Sequence, residues 1–209
     1  MILAHKKSGF TMVELLVVLA ISSIVLSLMY TVYRSQLKSH STQQEQVEMQ
    51  QNLRATLYLL ERDIRMAGHG PNGGVADPAI TIAGVDEIEF AMDITGGSTL
   101  EPSDGDTADP GEQMTYRHDL SGDLIRNAND GNGDQPLLSL EDIDSITFVY
   151  KDEDGTTLDY AALEADPGER SKIRSVEIIL NASINATVMV NAHEMELRSE
   201  IKCRNLGLN

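Results

Sequence analysis

The most extended pattern in the chain is an apolar run over residues 10–33, in which Glu14 is the one charged side chain. As a helix at ~1.5 Å per residue it would extend ~36 Å, enough to cross a bilayer. Residues 34–67 contain no Gly or Pro and are rich in Gln, Glu, Leu, Arg and Met, so the helix is predicted to continue to about residue 67. Within this polar half Met49, Leu53, Leu57, Leu60, Ile64 and Ala67 recur at intervals of four, four, three, four and three. That spacing marks one buried face. Because the seam is short for a free-standing coiled coil, the face is expected to pack on the protein's own sheet, with Arg54, Arg62 and Arg65 on the solvated side.

After Gly68 the pattern changes. The Gly- and Pro-rich run 68–74 supplies a helix stop and linker, and apolar or β-branched alternation then predicts strands at 79–83, 87–92, 113–118, 123–126, 143–151, 173–181, 186–190 and 194–203. A helix followed by strands predicts an α+β protein, its antiparallel β-sheet body covering the helix stripe.

Composition sharpens this picture. Apolar residues at 41% and charged residues at 23% are ordinary for globular chains and argue against wholesale disorder or a multi-span membrane protein. The net charge of −17 is unevenly placed: residues 10–67 carry five basic and five acidic side chains, whereas 68–209 carry nine basic and 28 acidic. Such a body repels phosphate backbones, so no nucleic acid is expected among its partners. Cys203 is the single cysteine, which excludes an intramolecular disulfide and a zinc site built from several thiolates.

The N-terminus admits three readings. Lys6 and Lys7 before the apolar run keep the extreme N-terminus cytoplasmic by the positive-inside rule, with everything after Arg34 across the membrane. One reading is a secretory signal peptide cleaved near residues 20–22; another is a permanent membrane anchor. Glu14 distinguishes them from the third. A carboxylate deep in a bilayer costs about 2.5–3.5 kcal/mol and is usually retained only with a compensating partner. A cut between Gly9 and Phe10 would create a cationic α-ammonium four residues before Glu14, roughly 6 Å away along a helix.

Lys7-Ser8-Gly9-Phe10-Thr11-Met12-Val13-Glu14-Leu15-Leu16 resembles the class III signal of type IV pilins and type II secretion pseudopilins. The resemblance implies that prepilin peptidase cuts after Gly9 and that Phe10 becomes the methylated terminus. It also implies that Glu14 pairs with the N-terminus of a neighbouring subunit. The stretch 44–54, with Leu60-Glu61-Arg62-Asp63-Ile64-Arg65-Met66-Ala67-Gly68 and the chain end Lys202-Cys203-Arg204-Asn205-Leu206, is similar to W-type minor pilins and, for the helical part, to J-type minor pseudopilins. The implied organisation is a leader at 1–9, a transmembrane and filament-core helix at 10–33, an amphipathic continuation at 34–67 and an acidic β-rich body at 68–209. The implied life cycle starts in the inner membrane, among lipid, with the body in the periplasm. It ends in a pilus, with other minor pilins, the major pilin and the inner-membrane assembly platform as partners. The expected function is structural, in a tip complex that initiates the filament; the alternative is a J-type pseudopilin of a secretion system.

Other chemistry is sparse. His69, His118 and His193 are widely spaced, Cys203 has no identifiable base, and no Gly-rich phosphate loop follows a strand, so no enzyme activity and no cofactor are expected. Asp104-Gly-Asp106 with Asp109, residues 127–134 and residues 152–155 form acidic turns. Neither Gly133 nor Gly155 aligns with the invariant glycine of an EF-hand, since Ala128 or Tyr150 then falls at the first ligand position. Solvated turns account for these segments, because Asn, Asp and Gly tolerate turn dihedrals. The alternative is an irregular calcium site at Asn129, Asp130, Asn132 and Asp134.

Overall fold

The computed structural model describes residues 9–70, 79–96, 102–119, 122–138, 143–184 and 193–206. The leader up to residue 8, most of the linker and the strand expected at 186–190 lie outside them. The chain divides into two compact units, residues 1–46 and 47–209. One helix, α1 (Met12–Ile64), runs through both.

In the first unit every large apolar side chain from Phe10 to Leu37 is exposed. In the second, Met49, Leu53, Leu60, Ile64 and Ala67 are buried and Leu57 is packed beside them, as the intervals predict. Arg54, Arg62 and Arg65 are exposed. The helix ends three residues earlier than the composition suggests. Met66 and Ala67 donate to the carbonyls of Asp63 and Ile64 three residues back, the usual tightening of a last turn. Gly68 then adopts φ +74°, a left-handed conformation open to glycine, and donates to Ala91 O at 2.8 Å. That bond fixes the helix end against the strand.

The body is α+β and fully antiparallel. Strands β1 (Ile80–Ala83), β2 (Glu87–Ala91), β3 (Gln113–His118), β4 (Leu124–Asn127) and β5 (Gln135–Leu138) form one meander in chain order. A second meander contains β6 (Ser145–Lys151), β7 (Ser175–Ile184) and β8 (His193–Lys202). The alternation read in the sequence is the burial pattern seen here. Ile146, Phe148 and Tyr150 on β6 and Val176, Ile178, Leu180 and Ala182 on β7 face inward. With Phe90, Tyr116 and the helix stripe they make one core. Each fully buried aliphatic side chain contributes about 1.5–3 kcal/mol.

Three elements were not expected. β5 contains Pro136, which cannot donate to a ladder and is tolerated because β5 forms the edge of its sheet. Helices α2 (Tyr160–Ala165) and α3 (Pro167–Arg170) are too short to show a helical period. They occupy the β6–β7 connection. There Tyr160 donates to Phe148 O at 2.6 Å and packs edge-on against Tyr150. Tyr150 in turn donates to Gly84 O at 2.9 Å, and the Phe148 N–H to Val85 O at 2.8 Å, which tie β6 to the β1–β2 turn.

One buried polar cluster joins helix and sheet. Asp63, facing inward beside Ile64, accepts from the Tyr116 hydroxyl at 2.6 Å and lies 3.4 Å from Arg126 Nε. Arg126 Nε also reaches the Tyr116 oxygen at 3.2 Å, and Arg62 flanks Asp63 at 2.9 Å from the solvent side. Removing the Tyr116 hydroxyl leaves a buried carboxylate short of a donor. Tyr116→Phe should therefore lower stability by about 1–3 kcal/mol, whereas Arg62→Ala, at an exposed partner, should cost less than about 1 kcal/mol. Thermal melting of the full chain in detergent checks both, and equal effects would contradict the assignment.

Burial also sets an alkaline limit. Desolvation pushes the Cys203 thiol from its ordinary 9.0 up to about 12. Burial and the Asp63 carboxylate raise Tyr116, and burial raises Tyr150. In the fold these groups keep protons that the unfolded chain releases, so stability is full below about pH 9 and falls as pH rises toward 12. Melting midpoints should drop between about pH 9 and 12, less steeply for Cys203→Ala; a flat profile would contradict this.

Candidate assembly site at the start of the long helix

Gly9, Phe10 and Thr11 precede the first turn of α1. Phe10 is 85% exposed, and a Cβ at Gly9 would meet nothing within 4 Å. The bond between them is therefore in non-helical, accessible chain, the form a peptidase needs.

Glu14 sits in the first turn. Its Oε2 accepts from Thr11 N at 2.9 Å and from Thr11 Oγ1 at 2.9 Å, and Glu14 N donates to Thr11 Oγ1 at 3.3 Å. This reciprocal arrangement is a capping box, which satisfies helix N–H groups that have no partner within the helix. Thr11-x-x-Glu14 ahead of an apolar run is the sequence signature of such a box, and an account of Glu14 in terms of a cation alone omits it. The box engages one carboxylate oxygen; Oε1 makes no hydrogen bond among the described residues. Glu14 thus organises the helix start and keeps an acceptor for a second partner.

Beyond Glu14 the next charged residue of α1 is Arg34. Its guanidinium lies 5.9 Å from the Tyr30 ring centroid, and Tyr33 adjoins it, an aromatic and basic border of the kind found where helices leave lipid. The helix is long and apolar enough to cross a membrane, and none of its most apolar stretch is buried by the chain.

The other candidates are dispersed. His69 is exposed, His118 closes β3, and His193 opens β8. Cys203, just past β8, is buried and holds its proton through neutral pH, which removes its nucleophilicity. In the turn after β4, Asp130 accepts from Asn132 N at 3.0 Å and Asn132 Nδ2 at 2.9 Å, and Asn129 Nδ2 donates to Gln113 at 3.3 Å. Asp134 is paired with Arg117 and accepts from Asn127 Nδ2 at 2.9 Å. Protein donors thus already engage both carboxylates of this turn.

Residues 4–30 match the family model described as the prokaryotic N-terminal methylation motif. Searches of curated proteins and of solved structures return no match. The matched segment spans the accessible Gly9–Phe10 bond, the Glu14 box and most of the apolar half of α1. It supports a class III signal of the type IV pilin and pseudopilin kind, with processing by prepilin peptidase, assembly with other pilins and membrane anchoring through α1.

Proposed function

We propose that this chain is a minor type IV pilin of W type, a structural subunit of the tip complex that starts filament assembly. One observation carries the reading: an accessible Gly9–Phe10 bond followed by Glu14 at the head of an apolar helix that its own chain leaves uncovered. The resemblance of residues 44–54, 60–68 and 202–206 to W-type subunits supports the finer assignment.

The mechanism follows from the N-terminal geometry. Before processing, α1 is stored in lipid and the capping box lowers the cost of the Glu14 carboxylate by giving it two local donors. Cleavage after Gly9 creates an α-ammonium at Phe10, largely cationic near neutral pH. When the helix moves from lipid into a bundle of like helices, apolar contacts are nearly equal in many staggers. The register that brings a neighbour's ammonium to Glu14 is then favoured, because an unpaired charge in apolar surroundings is costly. The acidic body plays a structural, non-catalytic part, and its charge disfavours a role in binding duplex DNA.

The mature protein should begin at Phe10 with a methylated amine, read by N-terminal sequencing and intact mass. A start at Ser23 or Met1 would overturn the reading. The cap and the charge can be separated at Glu14. Glu14→Gln retains a side chain able to close the capping box but has no charge, whereas Glu14→Leu removes both. Both variants should insert in the membrane, and both should fall at least about tenfold in filament incorporation, equivalent to about 1.4 kcal/mol. Normal incorporation of Glu14→Gln would reduce Glu14 to a helix cap.

A further inference from the structure

The segment joining β2 to β3 gathers carboxylates in a part of the chain that has no strong cation. Residues 68–116 contain ten Asp and Glu and neither Lys nor Arg. Asp104, Asp106 and Asp109 each offer a carboxylate oxygen, and the three lie within 4.8 Å of one another. Calcium holds its oxygens at about 2.3–2.6 Å, so oxygens on opposite sides of one ion are up to about 5 Å apart. The trio fits a single coordination sphere.

Exposed acidic turns are common, and these three residues alone would show nothing. Beneath them lies Asp93, which is 1% exposed. Its Oδ2 accepts from Gly105 N at 2.8 Å, so the carboxylate abuts the backbone between Asp104 and Asp106. Its Oδ1 is buried with no hydrogen-bond partner, and so is Asp109 Oδ2, within the trio itself. Buried carboxylate oxygens without donors are costly, and a cation held by the trio would offset the charge of both carboxylates.

The surrounding chain holds this arrangement in place. Glu112, fully buried, spends Oε1 on Ile94 N and Thr95 N, both at 2.8 Å, and Oε2 on Asp109 N at 3.3 Å. Asp104 Oδ1 accepts from Asp106 N at 3.1 Å and Asp106 Oδ1 from Ala108 N at 2.9 Å, which orients both carboxylates by one oxygen. Gly105, at φ +103°, makes the turn between them. The candidate ligands are all carboxylate oxygens, which suits a hard cation; their irregular spacing fits the adaptable shell of calcium better than the strict octahedron of magnesium.

We propose that Asp104, Asp106 and Asp109 form a calcium site, with the Asp93 carboxylate beneath it and Glu112 framing it. The probe is calcium chloride titrated into the full chain in detergent after chelator treatment, read by equilibrium dialysis and melting. One ion per chain should bind in the range of extracellular modules, about 0.1–1 mM. The melting point should rise by about 5–10 °C at calcium a hundredfold above Kd. The double variant Asp104→Asn with Asp106→Asn changes two exposed side chains, so its calcium-free melting point should be unchanged, while its affinity falls at least tenfold and its melting shift is lost. Asp93→Asn should weaken binding likewise, and Asp130→Asn with Asp134→Asn should leave it intact. Absence of stoichiometric binding at about 10 mM calcium, far above that range, would overturn the site. So would survival of binding in the Asp104 and Asp106 double variant, loss of it in the Asp130 and Asp134 variant, or tighter binding of magnesium.

Discussion

The body is organised by the need to cover one face of α1. Met49, Leu53, Leu60 and Ile64 return to the same side of the helix, and sheet residues including Phe90, Tyr116, Phe148 and Ile178 join them in one core. Asp63 gives that packing a register. It is next in sequence to Ile64 and points inward, so a helix rotated or slid by a residue would bury its carboxylate without Tyr116 and Arg126. Apolar burial is non-directional, and a hydrogen-bonded charge within it is specific. The same turn leads to Gly68, whose bond to Ala91 O sets where the chain enters the sheet region.

At the other end of α1 the proposed assembly gives a charge the corresponding task, with a neighbouring subunit as its partner. The apolar side chains between Phe10 and Tyr33 are exposed around the helix, so they offer assembly no preferred rotation or stagger. In the proposed assembly Glu14 breaks that degeneracy. Its capping box fixes where the helix begins and how the carboxylate is held, and its remaining oxygen can select a neighbour. In the fold, and in the assembly proposed for α1, a single carboxylate in apolar surroundings converts non-directional attraction into register.

Much of this was readable in the sequence, for reasons specific to particular residues. The stripe from Met49 to Ala67 and the alternation Ile146, Phe148, Tyr150 follow periods that survive any detail of packing. The prepilin-type motif at residues 4–30 was readable because a processing signal has to be recognised as linear sequence. β5 was hidden because Pro136 argues against a strand until its edge position is known, and α2 and α3 because six and four residues hold too few turns. The acidic turns show the limit most clearly. Residues 129–134 have the better alternation of oxygen side chains, yet Asn127, Asn132 and Arg117 already serve those carboxylates. The poorer pattern at 104–109 lies over Asp93, and burial of a residue eleven positions upstream of Asp104 leaves no local trace.

The distribution of cations gives the same conclusion from another direction. In the second sheet Glu177 and Glu200 stand opposite one another across β7 and β8, an unfavourable pairing by itself. Lys151 lies 3.0 Å from each, and Arg198 is 3.8 Å from Glu177. That sheet neutralises its own conflict. The described residues contain three buried carboxylates, Asp63, Asp93 and Glu112. Asp63 has a hydroxyl and two guanidiniums, and Glu112 has three backbone N–H groups. Asp93 has one backbone N–H for two oxygens. A chain so acidic can leave surface carboxylates to water, but water does not reach this one. Among the described residues no cation answers this charge, which is why the proposed calcium ion is placed at the carboxylates above Asp93.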